Sequence, residues 1–412
     1  MMSRKGEGSH LAVVGAVMIG FLPFIMVLGN SLFIPLIPKI QMDLQLTPAE
    51  AGLFLSVFSM PAALIIPLSG FFTNRFGYKK VILSALMILI VGSLLSVIAV
   101  FYPKSHLFSL LLVGRLLQGI GAGLVTPLAF IISTDWYSGR ERNQALGMIE
   151  AFNGLAKVLS PIIGVAIILI STWSFSLVFY FVCILLTWIG MSILFTYKAD
   201  GGKKQKPLTF PLFLEEFRSS WPLILAIFAV GFGGMFVLFG YLVYLSYELE
   251  GFYLVEGLQK GVLLSIPFAC LTISSYFSGK MSLPTIYLRT KMIVAGMIIM
   301  FLGILLPILS FELISLMIGS SLYSIGFGIF LSLASQVLAI SISRQIKSIT
   351  FSLYSMVRFL GVALGPVFYS YWINDAEQIR FTSLSLIGLL LIIWIIIYQS
   401  GNIDRLDEGA VN

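Results

Sequence analysis

The sequence predicts an all-α membrane protein, with 12 transmembrane helices arranged as two pseudo-symmetric six-helix bundles. Three observations predict it. Of 412 residues, 58% are hydrophobic and only 10% charged, whereas a soluble domain carries about 25% charged residues. Apolar runs of spanning length recur along the whole chain, and mean hydropathy reaches +1.02. The two halves also repeat small residues and prolines at one nearly constant offset.

A helical span needs about 20 predominantly apolar residues. Runs of that kind lie at 11–38, 51–73, 81–102, 107–133, 143–170 and 174–196, then at 221–247, 258–279, 292–310, 313–341, 350–373 and 381–399. The first run follows Arg4 and Lys5 but is too long for a signal-peptide core, so it reads as a retained first helix. The predicted organisation is a bundle over 1–197, a cytoplasmic linker over 198–220, and a second bundle with a short tail over 221–412. The linker carries Lys203, Lys204, Lys206, Glu215, Glu216 and Arg218, and Pro207, Pro211 and Pro222 punctuate it. Its Phe210–Phe217 part reads as a short amphipathic piece on the membrane surface.

Lysine and arginine placement orients the chain. With the N-terminus inside, Lys39, Lys104, Lys260 and Arg380 fall on outer segments and Arg115, Lys157 and Arg358 within spans, leaving eighteen of the 25 on inner segments. That excess predicts a multi-pass protein of the plasma membrane with both termini cytoplasmic. It also accounts for the net charge of +7 without a nucleic-acid partner.

Shifting the sequence by 205 residues brings Gly121 and Gly123 onto Gly326 and Gly328, and Pro161 onto Pro366. Small residues and prolines recur where helices approach closely or bend. The polar residues do not recur: Arg115 falls on Ser320, Glu150 on Ser355 and Lys157 on Val362. The scaffold is therefore read as duplicated, with the chemistry mostly in the first half.

A charge at bilayer depth costs several kcal/mol unless it meets a partner or water, so intramembrane charges are the candidate functional residues. Glu150 reads as the acid lying well inside a span. Glu150, Asn153, Gly154 and Lys157 share one helix face, with Glu150 and Lys157 about 10 Å apart along the axis. Glu150 is the candidate proton carrier, and an internal polar clasp without proton traffic is the alternative. Arg115 is either a cation that sets a nearby carboxylate or a structural guanidinium satisfied by backbone carbonyls. Asn30, Gln118, Asn153, Lys157, Tyr354 and Arg358 are the candidate cavity residues, with Phe152 the other aromatic candidate. Cys183 and Cys270 sit in apolar runs, and His10 and His106 lie apart. No metal spacing, Ser-His-Asp set or phosphate loop is present, so neither enzyme chemistry nor an ATP-driven pump is expected, and no cofactor.

Three motifs carry a resemblance. The loop Gly70-Phe71-Phe72-Thr73-Asn74-Arg75-Phe76-Gly77-Tyr78-Lys79-Lys80 resembles the signature loop of the major facilitator superfamily at Gly70, Arg75, Gly77, Lys79 and Lys80. It departs at Asn74, usually aspartate, and at Tyr78, usually arginine. In that family the aspartate joins a charge network latching the two halves, so Gly70, Asn74, Arg75 and Gly77 are assigned a gating role. Arg115-Leu116-Leu117-Gln118-Gly119 is similar to a motif linked to proton transfer in the family's antiporters. Gly147, Ala156, Ser160-Pro161 and Gly164 resemble the antiporter motif, with two glycines replaced by other small residues, and Gly361 with Gly365-Pro366 gives the second half its own version. Pro161 and Pro366 are the expected kinks.

The resemblance implies alternating access in a 12-helix drug:proton antiporter. The expected function is proton-coupled efflux of a small organic molecule, a drug-like compound or a siderophore, by a monomer whose partners are substrate, protons and lipid. Lys157 and Arg358 against one acid point to anionic or zwitterionic cargo. Uptake by a solute–proton symporter is the alternative, and a non-transporting receptor or scaffold a third.

Overall fold

The computed structural model describes residues 3–101, 104–197, 210–281, 283, 285–342 and 346–399. Among them the chain is helical throughout, without strands. Twelve stretches are long and apolar enough to cross a membrane. In chain order the helices are α1 (Ser3–Ser31), α2 (Ile37–Leu44), α3 (Pro48–Ile65), α4 (Ser69–Phe76), α5 (Tyr78–Ala99), α6 (Lys104–Trp136), α7 (Gly139–Ile170) and α8 (Ser174–Tyr197). They continue as α9 (Phe210–Gly251), α10 (Gly257–Lys280), α11 (Ile286–Leu309), α12 (Leu313–Ser341), α13 (Lys347–Tyr371) and α14 (Ala376–Gln399). The first span joins α1 to α2 through a single 3-10 turn at Ile34–Leu36, and the second joins α3 to α4 through Ile66–Leu68. Proline lies in each turn, at Pro35 and Pro67, where a missing N–H tightens the helix without an orphaned donor.

The ends follow local chemistry. Thr47 opens α3 with a reciprocal cap: Glu50 N–H donates to Thr47 Oγ1 at 3.3 Å, and Thr47 N–H donates to Glu50 Oε2 at 2.8 Å. Gly77 separates α4 from α5 at φ 82° and ψ 160°, a conformation that side chains avoid. Large apolar side chains stand exposed on the outer helices, as at Val91 (51%), Leu186 (62%) and Ile396 (61%). Such surface suits lipid and would not suit water.

The chain divides into two compact units, Met1–Lys206 and Pro207–Asn412. In the first, α6 packs on α5 and α3, and α7 on α1; in the second, α12 packs on α11 and α10, and α13 on α9. The glycines show that these contacts are equivalent. A Cβ on Gly121 would run into the Ala85 carbonyl of α5, and one on Gly326 into the Gly296 carbonyl of α11. Gly123 likewise abuts the Ala62 carbonyl of α3, and Gly328 the Leu271 carbonyl of α10. A further pair escaped the sequence comparison: Gly114 lies on Gly92, and Gly319 on Gly303.

The antiporter-like motif has the same explanation. Ala156 and Ser160 are buried, and a Cβ on Gly164 would strike the Leu32 carbonyl beyond α1. On α13, Gly361 and Gly365 abut the Phe232 and Phe236 carbonyls of α9. Pro161 lies inside α7 and Pro366 inside α13. Gly164→Val is therefore expected to push α7 off its neighbour and destabilise the protein by about 1–3 kcal/mol, the usual range for overpacking. Gly147→Val, where a Cβ meets nothing within 4 Å, serves as the neutral control. Thermal unfolding of the two purified variants measures the difference.

The helix of the seventh span begins at Phe210, so the predicted surface piece Phe210–Phe217 is continuous with that span. The rest of the predicted linker, 198–209, lies outside the described residues.

Candidate functional site

Among the described residues of the first unit, Arg115 is the most enclosed ionised side chain, at 0% exposure on α6. Its Nε donates to the Phe54 carbonyl of α3 at 3.1 Å. Its Nη1 donates to the Gly29 carbonyl of α1 at 2.6 Å and to Gln118 Oε1 at 3.1 Å. The rings of Phe33, Phe54 and Phe58 surround the guanidinium carbon at 5.0, 4.7 and 4.6 Å, an arrangement that stabilises a cation in a desolvated site. Gln118 in turn donates to Ser96 Oγ of α5 at 3.2 Å. The guanidinium thus ties α1, α3 and α6 together through backbone carbonyls rather than through a carboxylate. Its Nη2 has no partner, nor does either amide atom of Asn30, which is 4% exposed, nor the fully buried Tyr180 hydroxyl of α8. Tyr180 packs over Gly29, where a Cβ would collide with its ring.

On α7, Glu150 is exposed, and Asn153 and Lys157 are half-buried. The Asn153 side-chain oxygen is buried without a partner. Phe152 faces inward instead, edge-on to Phe21 at 4.9 Å and Phe24 at 6.2 Å of α1. It is a packing residue between the two helices.

Most of the predicted loop is helical: Gly70, Asn74 and Arg75 lie on α4 and only Gly77 breaks the helix. Asn74 and Arg75 are exposed, and nothing lies within 4 Å of a Cβ on Gly70. The departure at Tyr78 has a local consequence: its hydroxyl donates to Asp135 Oδ2 at 2.6 Å. That bond joins the start of α5 to the end of α6. Tyr137, just beyond α6, has its phenol raised to about 12, first by burial and then by the nearby Glu141 carboxylate.

In the second unit the structure brings Arg358 and Tyr354 of α13 together, the guanidinium 4.6 Å over the phenol ring. Tyr354 is 1% exposed and stacks on Phe228 of α9 at 5.8 Å. Gly231 makes room for both side chains. The Tyr354 hydroxyl and Arg358 Nε are buried and unpartnered.

Three sequence readings need correction. Lys260 and Arg380, assigned to outer segments, are 3% and 5% exposed within helices α10 and α14. Lys260 pairs with Glu250 of α9 at 2.5 Å. Glu150 is not alone as an acid within a span, since Glu248 and Glu250 are half-buried residues of the seventh. Polar chemistry is therefore present in both units. Helix ends produced two of these errors: α9 runs on to Gly251 and α14 begins at Ala376, beyond the apolar windows that set the predicted limits, whereas Lys260 already fell within the predicted run 258–279. The aromatic run Tyr241, Tyr244, Tyr247 around those acids was the available signal.

Twelve apolar spans in two equivalent units, each holding ionised side chains inside, define a polytopic membrane transporter. The chain belongs to the Major Facilitator Superfamily, whose family model it matches over residues 19–366. It is 30% identical over 380 residues to the bacillibactin exporter of Bacillus subtilis (strain 168), covering 90% of this chain and 94% of that protein. Over a shorter stretch of 141 residues it is 29% identical to the quinolone resistance protein NorA of Staphylococcus aureus, 34% of this chain and 35% of that one. Its fold resembles the crystal structure of the human organic anion transporter MFSD10 (TETRAN), with a TM-score of 0.65 at 19% identity over 93% of this chain and 99% of that one.

Proposed function

We propose that the protein exports a small organic molecule, a siderophore or a drug-like compound, in exchange for protons. It works by alternating access as a monomer in the plasma membrane, with both termini in the cytoplasm. The observation that carries export is the end-to-end likeness to a bacillibactin exporter across 90% of the chain. The close-packed face of α7, Ala156, Ser160 and Gly164, supports the same direction because it keeps the small-residue spacing of the antiporter motif, with alanine and serine in place of two glycines.

In this reading Glu150 loads and releases the proton, and its exposure on α7 gives the carboxyl the access such exchange requires. Asn153 and Lys157 share its face and meet polar groups of the cargo, as do Arg358 and Tyr354 in the second unit. Arg115 supplies a fixed positive charge, held by carbonyls, that biases the field around Asn30 and Gln118. Gly70, Asn74 and Arg75 on α4 and Gly77 just after it form the gating segment, where Asn74 offers a hydrogen bond in place of a charge. Lys157 and Arg358 favour anionic or zwitterionic cargo.

Two measurements test this. Inside-out vesicles with an acidic interior are expected to concentrate bacillibactin or a quinolone, and accumulation only in right-side-out vesicles would establish uptake instead. In a chain lacking Cys183 and Cys270, Glu150→Cys is expected to react with a water-soluble, membrane-impermeant thiol reagent. Reaction only with a lipid-soluble reagent would place position 150 on acyl chains and remove it as proton carrier.

A further inference from the structure

The second unit contains a connected ionised cluster at the end of α9. Glu248, in the last turn of that helix, is half-buried and follows Tyr244 by four residues, which places the two on one face of α9. Tyr244 is buried, and its hydroxyl accepts from Arg380 Nη2 at 2.9 Å. Arg380 comes from the second turn of α14, and its guanidinium lies 4.4 Å over the ring of Phe311. Its Nε and Nη1 are buried without partners, as is the hydroxyl of Tyr241, a turn deeper along α9. The other titratable groups around the cluster are accounted for. Tyr369 of α13 is bonded to Ser383 at 2.5 Å. Tyr253, after α9, donates to the Phe311 carbonyl at 2.6 Å, and Glu312 lies near it at the start of α12. Lys260 of α10 is already neutralised by Glu250.

A guanidinium does not release its proton in a protein. A cation at 5% exposure needs carbonyls, aromatic faces or a counter-charge; Arg380 has one ring and one hydroxyl, and Glu248 is the carboxylate near it. The two form no ion pair, and the Tyr244 hydroxyl that Arg380 bonds lies one turn before Glu248 on α9. That hydroxyl accepts from Arg380 and so has its own proton free to donate to the carboxylate. Protonating Glu248 cancels the counter-charge and breaks this sequence of donors. Arg380 then remains positive, with two unused N–H donors beside the Tyr241 hydroxyl.

We propose that Glu248 is a proton-binding carboxyl of the second unit, positioned by Arg380 through the Tyr244 hydroxyl, and that its protonation exposes a net positive charge in the aromatic recess around Arg380. What the bound proton is used for rests on the exchange reading above; that Glu248 binds it does not. Under the predicted orientation this end of α9 faces outside, where a proton entering an exporter arrives.

The test needs no cargo. Infrared titration of the protein in liposomes follows the carbonyl stretch of protonated carboxyls in wild type, E248Q, E150Q and Y244F. One titrating band is expected to vanish in E248Q and to remain in E150Q. In Y244F, which removes a donor to the carboxylate, that band is expected to persist to a pH higher by about one unit. A purely structural clasp would lower the thermal midpoint of the variants without moving any band. An unchanged spectrum in E248Q, or, where E248Q does not fold, an unmoved band in Y244F, overturns the proposal. Failure of wild type to concentrate bacillibactin or a quinolone would instead remove the exporter reading and leave the infrared result standing.

Discussion

Glu150→Gln abolishes concentrative export and spares downhill counterflow: that is the result expected if the α7 carboxyl carries the coupling proton. Glutamine keeps the size and hydrogen-bonding reach of the side chain but cannot load or release a proton. One pH unit across the membrane stores about 1.4 kcal/mol per proton, enough for about a tenfold cargo gradient if one proton moves per molecule. The wild type should build such a gradient in vesicles and the variant none, while labelled and unlabelled cargo still exchange at comparable rates through both. A variant that concentrates cargo as the wild type does would move coupling elsewhere, with Glu248 the next residue to test.

Arg115→Ala has the largest expected effect on stability. The substitution removes three bonds in a dry interior and strands the Gly29 carbonyl at the end of α1 and the Gln118 amide oxygen, while the Phe54 carbonyl keeps its own helical donor in α3. Each unsatisfied group costs about 1–3 kcal/mol, and the three phenylalanine rings close on an empty volume. A loss of several kcal/mol is expected, read as a collapsed yield of membrane-inserted protein and a lowered thermal midpoint. Arg115→Lys keeps the charge but loses the fork that spans two helices, so it should fall between alanine and wild type. Wild-type stability in Arg115→Ala would show that the guanidinium is not the tie described here.

Much of the architecture was legible because hydropathy and small residues report directly on lipid and close packing. The twelve spans appear within a few residues of their expected limits at most ends. The offset that aligned Gly121 and Gly123 with Gly326 and Gly328 anticipated equivalent helix contacts, since a glycine required against a carbonyl is required again when the fold is repeated. The neighbours of Arg115 were not legible. Its partners are backbone carbonyls up to 86 positions away in sequence, and a carbonyl has no letter of its own. The cluster at Arg380 was missed for another reason. An apolar window stops at the first charge, and a buried arginine near a helix start reads like one in a loop. Tyr78 looked like a plain departure from a loop motif, and its bond to Asp135 depends on a helix end 57 residues on.

The carbonyl tether on Arg115 also bears on how this protein tolerates drift. Because two of the three acceptors belong to the main chain, no replacement at positions 29 or 54 can delete them, and the pressure to keep the tie falls on position 115 itself. A saturation library scored for surface expression should therefore be intolerant at Arg115, and at Phe54 should admit only large apolar side chains, aromatic ones best, because that buried ring also faces the cation. At Gly29 the restriction should be one of size alone, imposed by the Tyr180 ring rather than by the cation.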